Sequence, residues 1–144
     1  HLGLAVWGFG GEGVGRRAGV LVKRQALAHL DLSENQIGDA GVTSLARACA
    51  SGALANCTEL LLVDNQIGDA GVTALASACA SGALPNLTEL WLDENLIGDA
   101  GVSALATACA SGALPKCKYT ISLSGNPASQ EARLLVINAL KSRS

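Results

Sequence analysis

The sequence contains no methionine and only four aromatic residues, Trp7, Phe9, Trp91 and Tyr119, among 144. Cores of this size ordinarily use aromatics and methionine as fillers. This interior must therefore be built from Leu, Ala, Val, Ile and Cys. Charge is also sparse, at 15% of residues, but a hydrophobic fraction of 49% argues against disorder. The net charge of −2 is too mild for a nucleic-acid partner. No apolar run approaches the roughly 18–20 residues that cross a bilayer, so no membrane partner is expected. Residues 1–10 are apolar, but they carry no basic leader and no small-residue cleavage pattern, so no signal peptide is expected. With no methionine to start it, the chain is expected to be a fragment or a processed form, with an artificial N-terminal edge.

Metal-ligand spacing is missing as well. The five cysteines, Cys49, Cys57, Cys79, Cys109 and Cys117, form no C-x-x-C pair, and His1 and His29 lie far from them in sequence. A zinc site needs clustered ligands, so neither a metal nor a cofactor is expected. The thiols read as small buried hydrophobes. Free thiols favour a reducing compartment, the cytosol first and the nucleus second.

What the sequence does have is a repeat. Residues 27–54, 57–84 and 87–114 superpose without a gap at a period of 30, and a fourth copy starts near Cys117 with one extra residue. Asn35, Asn65 and Asn95 share one slot, which Asn126 fills in the fourth copy. Ile37, Ile67 and Ile97 share another, and Asp39, Asp69 and Asp99 a third. The alternation Leu90-x-Leu92 predicts a short strand. Asp99 is expected to cap a helix whose apolar face is Val102, Leu105, Ala106 and Cys109. Ser111-Gly112 should end that helix with glycine in the left-handed position. Pro85 and Pro115 fall in the return loop.

Each unit thus reads L-x-x-L-x-L-x-x-N-x-I-G-D-x-G plus a helix. This resembles the leucine-rich repeat, within it the ribonuclease-inhibitor-like subfamily, and also the repeat region of NOD-like receptors. The resemblance implies a short right-handed horseshoe of the α/β class, with parallel strands on the concave face and helices on the convex face. Physics points the same way. One strand plus one helix cannot bury its own apolar side, so units must stack. The Asn column, Asn35, Asn65, Asn95 and Asn126, should hydrogen-bond loop backbone as each strand turns away. Repeats are expected near 27–56, 57–86, 87–116 and, as the closing repeat, 117–144.

Residues 1–26 fit the pattern poorly. Gly8, Gly11, Arg17 and Ala18 align one period ahead of Gly38, Gly41, Arg47 and Ala48, which suggests a degenerate leading unit. A competing signal overlaps it. Leu4–Trp7 reads as a strand, and Gly8-Phe9-Gly10-Gly11-Glu12-Gly13 matches the G-x-G-x-x-G dinucleotide fingerprint, with Asp31 placed as its acidic residue. The would-be second nucleotide strand is already the first leucine-rich strand, however, which leaves no room for a separate nucleotide domain. At the other end, Leu134, Ile137 and Leu140 suggest the apolar face of a closing helix whose outer face is polar.

The x positions between the Leu columns should face the concave surface. They read His29, Glu59, Glu89, Thr120; then Asp31, Leu61, Trp91, Ser122; then Ser33, Val63, Asp93, Ser124; and last Glu34, Asp64, Glu94, Gly125. The face is acidic with an apolar centre. The candidate partner-binding residues are Asp31, Glu34, Glu59, Leu61, Val63, Asp64, Glu89, Trp91, Asp93 and Glu94. Charge is segregated: residues 1–26 net +3, residues 27–115 hold ten acids against Arg47 for −9, and residues 116–144 net +4. A partner protein with a basic surface would be steered to the centre. No nucleophile–base constellation appears, so no enzyme activity is expected, and the neighbouring Glu59 and Glu89 arise from repetition. The leading expectation is a non-catalytic protein-interaction module, as a monomer or as part of a larger chain. The alternatives are a regulator of a small GTPase, by similarity to the Ran GTPase-activating protein's repeats, and nucleotide binding through Gly8–Gly13.

Overall fold

A computed structural model describes Leu2–Gly3 and residues 28–118 and 120–143. The expected nucleotide loop, Gly8–Gly13, and most of the leading unit lie outside the described residues. The elements run β1 (Leu2–Gly3), β2 (His29–Asp31), α1 (Gly38–Ala50), β3 (Glu59–Leu61), α2 (Asp69–Ala80), β4 (Glu89–Trp91), α3 (Asp99–Ala110), β5 (Thr120–Ser122) and α4 (Gln130–Lys141). The five strands form one parallel sheet in sequence order. Each strand–helix pair therefore advances the solenoid by one step.

Strands β2 to β5 are three residues long because only their middle residue must be buried. Leu30, Leu60, Leu90 and Ile121 point inward, and the residues on either side are half-buried on the opposite face. Leu32, Leu62, Leu92 and Leu123 form the next inward row, facing Val42, Leu45, Val72, Leu75, Val102 and Leu105 from the helices. Each Leu sealed from water contributes about 1.5–3 kcal/mol. One continuous core follows the stack in place of a central aromatic cluster. The helices end as expected. Ala113 N–H donates to the Ala108 carbonyl (3.0 Å) and Gly112 N–H to that of Cys109 (3.1 Å), with Gly112 at φ +102°. This is the Schellman pattern, and Gly52 and Gly82 repeat its left-handed φ.

Helix starts depart from expectation. Asp99 does not cap its own helix: the N-cap positions of α2 and α3 are Gly68 and Gly98, with no side-chain cap bond. The carboxylates reach forward one unit instead. Asp39 Oδ1 accepts from Gly68 N–H (2.7 Å) and Gly71 N–H (2.9 Å); Asp69 Oδ1 accepts likewise from Gly98 and Gly101. Asp99 accepts from the Ser129 N–H (2.6 Å) and hydroxyl (3.2 Å). Each aspartate thus caps the following helix. The second glycine of I-G-D-x-G makes room for it: a Cβ on Gly71 would sit 2.5 Å from Asp39 Oδ1 and 2.6 Å from Val42 Cγ1.

The last helix also corrects the sequence reading. Its buried residues are Ala132, Val136 and Leu140, while Leu134, Leu135 and Ile137 are exposed. The extra residue before β5 sets the alignment at 31, which places Leu134 on the slot of Ser103 and Ile137 on that of Ala106. Ala106 is buried. The outer face of α4 is therefore partly apolar. Arg143 is a clamp. Its guanidinium donates to the carbonyls of Cys109 (2.8 Å), Ala113, Leu114 and Cys117 (3.0 Å), tying the chain end to the C-terminal turn of α3.

Candidate functional site on the concave sheet face

The Asn ladder holds the strands in register behind the site. Asn65 Oδ1 accepts from Asn35 N–H (2.8 Å), and Asn95 Oδ1 accepts from Asn65 N–H (2.9 Å) and Ile67 N–H (3.0 Å). Asn95 Nδ2 donates to the carbonyls of Leu62 and Leu92. Asn126 continues the ladder, accepting from Ile97 N–H (3.0 Å) and donating to the carbonyls of Leu92 and Leu123. Asn35, Asn65 and Asn95 are the buried polar side chains among the described residues. Their amides consume backbone groups that the short strands leave unpaired.

The backbone register brings the candidate residues together as columns. His29 lies opposite Glu59, Glu59 opposite Glu89, and Glu89 opposite Thr120. Asp31, Leu61, Trp91 and Ser122 form the neighbouring column. His29 Nδ1 lies 3.0 Å from Glu59 Oε1. Trp91 Nε1 donates to Glu89 Oε1 (3.1 Å), so the indole is held on its own strand. Ser122 Oγ donates to Asp93 Oδ2 (2.9 Å), while Asp93 Oδ1 is shielded from solvent without a hydrogen-bond partner. Glu59 and Glu89 each have their own neighbour engaged. Among the described residues no group of His, Cys, Asp and Glu has the arrangement of a metal site.

Two features shape this face. Leu61, Val63 and Trp91 are half-buried, so the apolar centre is a shallow stripe. Glu34, Asp64 and Glu94 have left the strand: they adopt φ of 60°, 55° and 57° and stand exposed on the loop rim. Gly125 fills the corresponding place in the fourth unit, at φ 75°. Among the described residues, the most exposed large apolar side chain is one the sequence pattern did not single out. Leu96, 62% exposed, occupies the rim slot that holds Gln36 and Gln66 in the other units. Its departure from that column was the available signal.

The face carries the carboxylates of Asp31, Glu59, Glu89 and Asp93, with Glu34, Asp64 and Glu94 along the rim. Among the described residues no Lys or Arg occupies any of these columns. Arg47, the one cation of the regular units, is exposed on α1 on the opposite side. The cysteines are buried inside the solenoid. Burial pushes the thiols of Cys49, Cys79 and Cys117 up to about 12 and that of Cys57 to about 11, and it raises Cys109 as well. Such thiols are poor nucleophiles and poor metal ligands.

One strand and one helix per step, a parallel sheet along one face and an Asn ladder at each turn define a one-dimensional α/β solenoid. The family comparison is specific: residues 26–46, 58–76 and 83–106 match the leucine-rich repeat model. The chain has the α/β leucine-rich repeat solenoid fold, and these three segments are similar to that family. Among solved structures it is similar to "Leiomodin-1 Actin-Binding Site 2", with a TM-score of 0.66 and 19% identity over 92% of this chain and 72% of that one. At that identity the likeness is one of fold. Comparison with curated protein sequences finds no match. No helix among the described residues is long and apolar enough to cross a membrane.

Proposed function

We propose that the chain is a non-catalytic protein-interaction module that binds a partner with a basic surface through its concave face. The observation that carries this reading is the pairing of Leu61 and Trp91 on adjacent strands, bounded by carboxylates on both sides. Half-buried apolar groups inside a polar, charged rim are the arrangement of an interaction hot spot. Trp91 is held by Glu89, so little side-chain freedom is lost on binding. The similar structure is named for an actin-binding site, which supports protein recognition by this fold and leaves the partner open. The ribonuclease-inhibitor-like or NOD-like affiliation and the reducing compartment belong to the same proposal. Free, buried thiols suit the latter.

The test is capture of partners by the wild type, by Trp91→Ala combined with Glu89→Lys, and by Arg47→Glu on the convex side. The expected result is recovery by the wild type and the convex variant and loss by the concave one. Equal recovery by all three refutes the concave face as the binding surface.

A further inference from the structure

Resting on that concave-face reading, we infer that the partner segment is a basic amphipathic α-helix lying across the strands, along the axis of the solenoid. The direction comes from the register. The apolar pair Leu61 and Trp91 runs from strand to strand, with Asp31 before it and Ser122 after it. A segment lying along β4 would instead meet Glu89, Trp91 and Asp93 in turn, and its charge and apolar contacts would alternate. A segment lying across the strands meets apolar contacts in its middle and carboxylates on each side.

The spacing selects a helix. Adjacent strands are about 4.8 Å apart. One helical turn rises about 5.4 Å, so apolar residues at i and i+3 or i+4 fall close to that spacing. Same-side residues of an extended segment recur at roughly 6.6–6.8 Å, a poorer match. The width agrees. The carboxylate rows at Glu59/Glu89 and Asp64/Glu94 are five residues apart along the chain, at most about 18 Å, since Asp64 and Glu94 lie past the strands on the loop rim. A helix with its side chains is about 10–12 Å across. It would seat its apolar line on Leu61 and Trp91 and turn Lys or Arg on both flanks toward the two acidic rows. The charge is complementary throughout, since no Lys or Arg of the described residues lies in these columns.

The experiment uses the full chain and three short synthetic peptides, measured by titration calorimetry with peptide circular dichroism. One peptide has apolar residues at i, i+3, i+4 and i+7 with Lys and Arg on the flanks. The second has the same composition, scrambled to remove the amphipathic face. The third replaces every basic residue of the first with Glu. The expected result is binding of the first at least ten-fold tighter than the second, a gain in its helicity on binding, and no binding of the third. Trp91→Ala should lower the affinity for the first peptide at least ten-fold. Asp64→Lys with Glu94→Lys, both exposed on the loop rim, should do the same should Trp91→Ala perturb the fold. Equal binding of the first two peptides, or binding of the first without helix formation, overturns the helical occupant and leaves the acidic face standing as a binding surface. No binding of any peptide overturns the helical occupant and counts against the basic-partner reading as well.

Discussion

Gly71→Ala is a substitution for which local and long-range physics disagree in sign. Gly71 lies in the first turn of α2, where alanine is intrinsically better than glycine by about 1 kcal/mol. On that ground alone the variant should be more stable. The structure places a new Cβ 2.5 Å from Asp39 Oδ1, 2.6 Å from Val42 Cγ1 and 3.1 Å from Asp39 Cα. Two of these atoms belong to a buried valine and a backbone carbon, so the neighbouring unit must move. Overpacking of this kind costs about 1–3 kcal/mol. Displacing Asp39 also weakens its bonds to Gly68 and Gly71 N–H, at about 0.5–1.5 kcal/mol each. After the propensity gain, the net loss is about 1–5 kcal/mol. In a chain of this size that lowers the melting temperature by about 2–4 °C per kcal/mol. Urea titration and thermal melts of the wild type, Gly71→Ala, Asp39→Ala and the double variant measure it. The double variant should be less destabilised than the sum of the singles, because one atom of the clash is gone. An unchanged or more stable Gly71→Ala, or strict additivity in the cycle, refutes the interlocking of aspartate and glycine between units.

Further expectations follow from the same structure. Asn95→Ala strands the buried N–H groups of Asn65 and Ile67 and should cost about 2–6 kcal/mol in urea titration, more than Asn126→Ala at the half-buried end of the ladder. The raised thiol pKa values mean that the folded chain holds its thiol protons more tightly than the unfolded chain. Their stabilising contribution is full below about pH 9 and is lost as pH rises through 11 to 12. Stability should therefore fall steeply across that window and less steeply in Cys79→Ala. Arg143→Ala should selectively speed hydrogen exchange in α4 and the loop after α3, and Lys at that position should not restore protection because it lacks the planar fork. Leu96→Gln restores the residue of the other units; it should leave the melting temperature unchanged and weaken partner capture.

The sequence made the repeat legible because its spacing is rigid. Leu, Asn and Ile recur at a fixed offset, and each residue's role is set by its own unit. Strand positions, helix ends and concave columns could all be read that way. The helix starts could not. The capping rule is local, yet Asp39 sits one residue inside its own helix and serves donors 29 and 32 residues away. That partner becomes adjacent only when the units stack. Arg143 was illegible for the same reason, since its acceptors are carbonyls 26 to 34 residues earlier. The α4 face was misread because bulk was taken as a sign of burial. The inner units use Gly101 and Ala106 where helices approach closely, and Ala132 follows that rule while Leu134 does not.

The division between fixed and variable slots explains why the candidate site sits where it does. Residues that stack the units are the same in all three regular copies: the inward leucine before Asn, the Asn itself, Ile, Gly, Asp and the second Gly. Each is needed by the next unit as well as its own, so a change at one position disturbs two interfaces. Concave residues touch neither interface in the same way, and there the copies differ: His29 against Glu59 and Glu89, Asp31 against Leu61 and Trp91, Ser33 against Val63 and Asp93. Chemistry placed on this face changes recognition without altering the stack. The apolar residues then fall in the second and third units, where a described strand lies on both sides of each. A partner held at Leu61 and Trp91 therefore meets the most completely braced part of the sheet. Binding there should slow exchange of the Leu62 and Leu92 amides, whose acceptors are the Trp91 and Ser122 carbonyls, before it affects β1. Protection gained first at β1 or at α4 would move the site off the concave centre.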